Sequence, residues 1–306
     1  MRIGLPGGGS DADQIVRQAQ RAEQDGFTSL WYAGAVAGDP MIAIALAGRA
    51  TSTIELGTSV LPTYTCHPVL QATRAAALVA AIGTPGRFTL GIGPSHQPVI
   101  EDVLGMSYEH PGRHTEEYVQ VLAPLLRGES VHHPGVDFRV QCGPPELLGG
   151  AEIPLLLSAL APRLLRVAGQ LTAGTITWMA NATAIEQHVA PRIRAAAEGA
   201  GRTAPRVVVG LPVAVHDDVA EARAAAAEQF AVYGTLPNYR RILAHGGAAG
   251  PGDAAIVGDE SSVASQIGAL FAAGATDVWA APFPVGEDRA TSRSRTRALL
   301  VELTNS

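Results

Sequence analysis

One stretch of the chain combines residue types that could do chemistry: Gly91-Ile92-Gly93-Pro94-Ser95-His96-Gln97-Pro98. An apolar run ends in glycines, a histidine follows, and a proline stands where a helix would begin. A histidine at a strand end can act as acid, base or hydrogen-bond donor, because its proton affinity lies near neutral pH. The same residue would also serve as an ordinary loop or helix-cap histidine. Pro98, and Pro162 in Ser158-Ala159-Leu160-Ala161-Pro162-Arg163, read as first helical positions, where a helix leaves backbone N–H groups unpaired. Such groups bind phosphate and other anions. Glycines beside them let the backbone approach a ligand, though glycine and proline equally close simple turns. Two further strand ends are candidates, Gly57-Thr58-Ser59-Val60-Leu61-Pro62-Thr63-Tyr64-Thr65 and Thr177-Trp178-Met179-Ala180-Asn181.

Other chemistries are excluded or poorly supported. All 22 basic residues are arginine and none is lysine, so Schiff-base, pyridoxal-phosphate and P-loop mechanisms have no amine to work with. No GxSxG, GxGxxG or HExxH pattern occurs, which removes the usual hydrolase elbow, dinucleotide fingerprint and zinc helix. His110 and His114 share a helix spacing without a carboxylate to complete a metal site, and His132-His133 read as a solvated loop. Carboxylates at strand ends are scarce, Asp39 and Glu101 being the nearest, so a glycosidase-type pair is poorly supported. The net charge of -6 and the absence of an arginine-rich run argue against a nucleic-acid partner. Two cysteines, Cys66 and Cys142, make neither a disulfide framework nor a zinc site and suit a reducing, cytoplasmic setting. No apolar run is long enough to cross a membrane. What remains is an apolar pocket near Tyr64, Trp178 and Met179, suited to a planar cofactor that carries the hard chemistry itself. Trp178 could equally be packing at the mouth of the fold.

These loops need a frame. Short apolar runs at Arg2–Leu5, Ser29–Tyr32, Ile54–Thr58, Arg87–Ile92, Ile153–Leu157, Ala173–Thr177, Val207–Ala214 and Asp277–Ala281 alternate with helical periodicity. Ile15, Val16, Ala19 and Ala22 give the first helix its apolar face, with Ser10 as its cap and Gly26 as its end. Strands alternating with helices predict a parallel sheet, and about eight such units predict a closed α/β barrel of the (β/α)8 type rather than an open doubly wound sheet. One domain then spans 1–306. An excursion over Val131–Val140 follows the fourth strand, and an insertion lies between the seventh and eighth, with Gly246–Asp253 as its mobile loop. In such barrels the active site lies at the C-terminal strand ends, where all four candidate loops fall.

The chain resembles the luciferase-like oxidoreductase superfamily, and within it the branch that uses coenzyme F420, a deazaflavin. The resemblance runs through Ala22-Glu23-Gln24-Asp25-Gly26-Phe27, Ile54-Glu55-Leu56-Gly57-Thr58-Ser59-Val60 and Gly86-Arg87-Phe88-Thr89-Leu90-Gly91-Ile92-Gly93. It continues in Arg163-Leu164-Leu165-Arg166-Val167-Ala168-Gly169, Val257-Gly258-Asp259 and Ala273-Gly274-Ala275-Thr276-Asp277, covering nearly the whole chain. It implies a (β/α)8 barrel with a non-proline cis peptide between Ser59 and Val60, behind the deazaflavin ring. Ser59, Val60 and Thr63 would then support the ring. Gly93, Pro94, Ser95, His96 and Gln97 would meet the cofactor's side chain or phosphate, and Ala159, Ala161 and Pro162 would flank it, with Trp178 nearby. His96 would be the catalytic proton donor or acceptor, and no metal is implied.

The departures are informative. Many relatives carry Asp-His after the second strand, where this chain has Gly34 and Ala35, so no base comes from that loop. His96 stands where some sugar-phosphate dehydrogenases of the family carry a glutamate, and their phosphate-binding lysine has no counterpart here. The expected activity is hydride transfer between F420 and a small-molecule substrate. An FMN-dependent monooxygenase and a cofactor-binding member without catalysis are the alternatives. Relatives of this kind are often homodimers; the alanine-rich helices suit either a partner's surface or the barrel's own.

Overall fold

The structure, a computed structural model, describes residues 1–34 and 38–305. Twelve strands are present among them: β1 Ile3–Gly7, β2 Ser29–Tyr32, β3 Glu55–Thr58, β4 Leu61–Pro62, β5 Phe88–Gly93, β6 Val131–Pro134, β7 Arg139–Cys142, β8 Leu155–Leu157, β9 Gly174–Trp178, β10 Arg206–Val215, β11 Ile256–Gly258 and β12 Asp277–Pro282. Eight of these close a parallel barrel in the order β1-β2-β3-β5-β8-β9-β10-β12, with β12 returning to β1. Helices surround it, giving the expected (β/α)8 architecture. The short β4 continues the line of β3 beyond a cis Ser59–Val60 peptide and pairs with β5. The bond lies where the resemblance placed it.

Local chemistry explains the elements. The helix Pro40–Ala50 starts where Asp39 accepts the Met41 N–H at 2.8 Å, and Pro40 fills the first position. The second oxygen of Asp39 receives the Arg74 guanidinium at 2.6 Å, tying this helix to the next, Pro68–Ile82. The first helix, Ala12–Gln24, is capped by Asp11, which accepts from Gln14 N, and not by Ser10 as the sequence suggested. Ser10 lies one position too early; its hydroxyl reaches Asp11 and Gln14 instead.

Inside the barrel, residues two apart on a strand share a face, and two tryptophans fill the interior. A Cβ at Gly57 would overlap the Trp31 ring, and one at Gly210 would overlap the Trp279 ring. The glycines of β3 and β10 therefore make room for indoles from β2 and β12. Below them, at the N-terminal ends of the strands, Arg206 bridges Glu55 at 2.6 Å and Asp277 at 2.6 Å, while Arg2 reaches the same two carboxylates at 2.8 and 2.7 Å. This ionic plug closes the bottom of the barrel.

The excursion after the fourth barrel strand is an antiparallel hairpin, β6 with β7. The buried Glu117 carboxylate holds its turn by accepting the N–H groups of Val136, Asp137 and Phe138. His133 faces Glu117 at 3.6 Å with its side chain mostly buried, so it is not the solvated residue its doublet suggested. The insertion between the seventh and eighth barrel strands is larger than Gly246–Asp253. It contains the helices Val219–Gln229, Pro237–His245, Pro251–Ala254 and Glu260–Ala273, and β11 on the far end of β10. The stretch read as a mobile loop is anchored: Asn181 Nδ2 donates to Gly246 O at 2.9 Å, and Asp253 accepts from Ala249 N at 3.0 Å. No helix among the described residues is long and apolar enough to cross a membrane.

Candidate active site

At the C-terminal end of the barrel a cavity opens in two connected lobes, of about 380 and about 620 Å³, which share Val60, Ser95, His96, Ser158 and Tyr239. Volumes of this order suit a cofactor and a small substrate. The position is the one where barrels of this type build their sites.

The smaller lobe is walled by aromatic rings. Trp178 at the end of β9 stacks on Trp279 from inside β12, with centroids 4.9 Å apart and planes at 22°. Tyr233 meets Trp178 edge-on at 5.7 Å, and Tyr239 meets Tyr233 at 4.8 Å. Gly34, Ser59 and Val60 also line this lobe. Ala35, the other position compared with the relatives' Asp-His pair, lies outside the described residues. The larger lobe holds the cavity's charged side chains. Gln97, Arg163, Asn238 and Arg241 line it, and two helices begin at it, Pro162–Leu171 and Pro237–His245. Their N-cap residues, Ala161 and Leu236, give no side-chain cap, so the first-turn N–H groups stay open to a ligand.

The backbone around His96 is specialised. Ser95 has φ 63° and Met179 has φ 63°, the two non-glycine residues at positive φ among those described. Each stands beside a cavity residue, Ser95 next to His96 and Met179 next to Trp178. Backbone in sparsely populated regions concentrates at functional sites. Tyr108 Oη donates to Ser95 O at 3.0 Å and so fixes the turn. The His96 carbonyl accepts from Val99 and Ile100, both at 3.0 Å, starting the helical turn Val99–Val103. His96 is thus both the loop residue that opens a helix and a cavity side chain. Burial lowers its pKa from the ordinary 6.5, so the imidazole is neutral at pH 7. Its ring lies 5.6 Å from that of Tyr239, whose phenol burial pushes well above the usual range and keeps protonated.

The structure gathers most of the residues singled out in the sequence. Ser59, Val60 and Trp178 line the smaller lobe; Gly93, Pro94, Gln97 and Ala161 line the larger, with Val60, Ser95 and His96 common to both. Three lie outside the cavity wall. Thr63 is buried behind it, its N–H on Gly93 O at 2.9 Å. Ala159 is fully buried, its N–H on Thr175 Oγ1 at 3.3 Å. Pro162 is exposed at the start of its helix. Tyr64 also stands away, stacked on His114 at 3.9 Å. Sequence reasoning passed over Tyr233, Tyr239, Arg241 and Trp279. The first three belong to Tyr233-Gly234-Thr235-Leu236-Pro237-Asn238-Tyr239-Arg240-Arg241, whose Pro237 marks a helix start of the kind already recognised at Pro162.

The residues fit a planar ring with an anionic tail. Ser59 Oγ is buried and without a hydrogen-bond partner. A Cβ at Gly93 would come within 2.9 Å of Val60 Cγ2 and 3.0 Å of Ser158 Cβ, so the smallest residue keeps the shared wall in place. The uncapped helix starts and two arginines supply the anion-binding half. No group of three or more potential metal ligands occurs among the described residues.

Several known proteins are similar to this chain. A 5,10-methylenetetrahydromethanopterin reductase of Methanolobus tindarius is 29% identical over 220 residues, 72% of this chain and 66% of that one, so the chain spans just under two thirds of its length. An F420-dependent hydroxymycolic acid dehydrogenase of Mycobacterium tuberculosis is 31% identical over 229 residues, 70% of this chain and 62% of that one. Among solved structures, the coenzyme F420 dependent tetrahydromethanopterin reductase of Methanopyrus kandleri has the same fold. It superposes with a TM-score of 0.77 at 22% identity, over 99% of this chain and 96% of that one. The sequence profile described as luciferase-like monooxygenase matches residues 2–290. With 289 of 306 residues inside that profile, the chain belongs to the bacterial luciferase-like family.

Proposed function

We propose that the protein is an oxidoreductase that moves a hydride between coenzyme F420 and a small organic substrate. The observation that carries this reading is the half-buried His96 on the wall common to the aromatic and the cationic lobe. A deazaflavin, when bound, supplies hydride exchange at a ring carbon. Ser59, Val60 and Gly93 offer the flat wall for its ring. Gln97, Ala161, Arg163 and Arg241 surround the place for its anionic tail. His96 holds the proton that must accompany the hydride: as neutral imidazole it takes a proton from a substrate hydroxyl, and as imidazolium it returns one. The apolar rings around it exclude water, which strengthens every hydrogen bond made there. The F420-dependent relative supports this choice of cofactor.

The family's monooxygenases give a second reading, in which the same two helix starts hold the phosphate of FMN. Titration of the purified protein with oxidised deazaflavin and, separately, with FMN decides between them, followed by fluorescence or heat. Micromolar or tighter binding of deazaflavin alone is the expected result. Preference for FMN moves the protein to the monooxygenase side, and binding of neither removes both assignments.

A further inference from the structure

We propose that the smaller lobe selects an uncharged, ring-bearing substrate and rejects anionic ones, with Tyr233 and Trp178 as the specificity-determining side chains. This rests on the hydride-transfer reading for the word substrate, and on the lobe alone for the selectivity.

The two lobes differ in their fixed charge. Among the described residues lining the smaller lobe there is no aspartate, glutamate or arginine, and the chain contains no lysine. Both arginines of the cavity, Arg163 and Arg241, stand in the larger lobe with Gln97 and Asn238. An anion entering the smaller lobe would lose its water and find no fixed cation, which is strongly unfavourable. The titratable groups that face it are His96, Tyr233 and Tyr239. Burial lowers the pKa of His96 and raises those of both phenols, so all three favour their uncharged forms.

The shape is equally selective. Trp178, Trp279, Tyr233 and Tyr239 present edges and faces at 4.8 to 5.7 Å from one another, an arrangement that a flat apolar ring extends. Trp279 is packed against Gly210 and Tyr239 is buried, so both are fixed. Trp178 and Tyr233 are partly exposed and meet an incoming ligand first. A cofactor entering from the cationic lobe passes the shared wall at Val60, Ser95, His96 and Ser158, and its ring, resting on Ser59, takes part of the smaller lobe. Trp178, Tyr233, Trp279 and Gly34 line the smaller lobe alone and are the residues left to face a second molecule beside the ring.

The test uses 2-naphthamide and 2-naphthoate, which match in shape and differ in charge, with binding measured by calorimetry on the cofactor-free and the deazaflavin-loaded protein. The amide is expected to bind at least about thirty-fold more tightly than the carboxylate in both states, and to keep its site when deazaflavin is saturating. Tyr233→Arg is expected to reverse the preference, and Trp178→Ala to weaken the amide about ten-fold or more. Equal binding of the two probes, binding of neither, or displacement of the amide by deazaflavin overturns the proposal. The selectivity is read in cofactor-free protein. Failure of deazaflavin to bind would therefore sink the hydride-transfer reading while leaving the lobe's preference measurable.

Discussion

Val60 Cγ2 lies 2.9 Å from where a Cβ on Gly93 would be. The two residues belong to adjacent strand ends, joined through β4 and β5; Val60 lies on the wall common to both lobes and Gly93 lines the larger one. Val60 is β-branched and stiff about χ1, with Ser158 Cβ crowding the same space at 3.0 Å. In Gly93→Ala the added methyl must push Val60 into the cavity. The expected cost is about 1–3 kcal/mol of stability from overpacking, and a deazaflavin affinity reduced about ten-fold or more. Denaturant unfolding and the cofactor titration measure the two effects. Unchanged cofactor affinity in a folded Gly93→Ala variant would show that the ring does not rest on this wall.

Replacing His96 by alanine is expected to lower turnover by about 10²- to 10⁴-fold, the range for losing a positioned acid or base. Deazaflavin affinity should stay within a few-fold, because the ring's wall and the anion-binding helix starts are untouched. The pH dependence carries a sign. Burial lowers the pKa of His96 below 6.5, so substrate oxidation, which needs the neutral imidazole, rises with pH and levels off below that value. Reduction, which needs the imidazolium, falls as pH rises through the same region. Wild-type rates or an unchanged profile in His96→Ala would take this residue out of the mechanism.

Folding stability should fall on mild acidification, and histidines set the window. His96, His114 and His188 all have pKa values lowered from 6.5, with desolvation the leading cause. His188 is the most buried, at 3% exposure; its Nε2 meets Leu160 O at 2.7 Å and its ring stacks on His245 at 3.8 Å. Below about pH 6.5 the unfolded chain binds protons that the folded histidines resist, so the unfolded state gains. Stability is therefore full above that pH and lost as pH falls through the depressed folded values. Carboxylates with lowered pKa, among them Glu23, Glu117 and Asp277, start from 4.5, 4.5 and 3.8 and act only in stronger acid. Thermal melts between pH 5 and pH 8 check the slope, and His188→Asn should flatten it.

Much of this was legible in the residues themselves. The bounds of β2 and of Pro40–Ala50 follow from a short, largely apolar run and from an Asp-Pro start, both local signals. The cavity wall from β3, β5 and β8 was reachable in the same way, because strand ends in a barrel all point to one face. The far wall was not. Tyr233 and Tyr239 arrive from the insertion, on the nine-residue helix Pro237–His245 and the segment leading into it. The three-residue β11 is defined only by its pairing with the extended end of β10. Trp279 could have been read from alternation, since it shares a face of β12 with Asp277. That reading needs the direction of the strand and the glycine opposite it at 210, which only packing supplies.

The same inward face carries the ionic plug, and it yields the prediction that best separates stability from function. Arg206 donates to Glu55 and Asp277 across the N-terminal end of the barrel, with its guanidinium 5.6 Å from the Trp31 ring. The Asp277 side chain is 3% exposed and that of Glu55 14%. Burial raises the Asp277 pKa, but its bonds to Arg206, Thr276 and Arg2 outweigh this and hold it below 3.8. In Arg206→Met two carboxylates would face each other with Arg2 as their remaining cation. The expected loss is about 3 kcal/mol, the lower end for breaking a buried pair. Turnover per folded molecule should not change, because the plug and the cavity lie at opposite ends of the barrel. A triple variant, Arg206→Met with Glu55→Leu and Asp277→Leu, should recover part of the loss by replacing stranded charge with apolar contact. Denaturant unfolding and specific activity of the single and triple variants measure this. If the triple variant is less stable than the single one, the plug contributes through its charge and not merely through its volume.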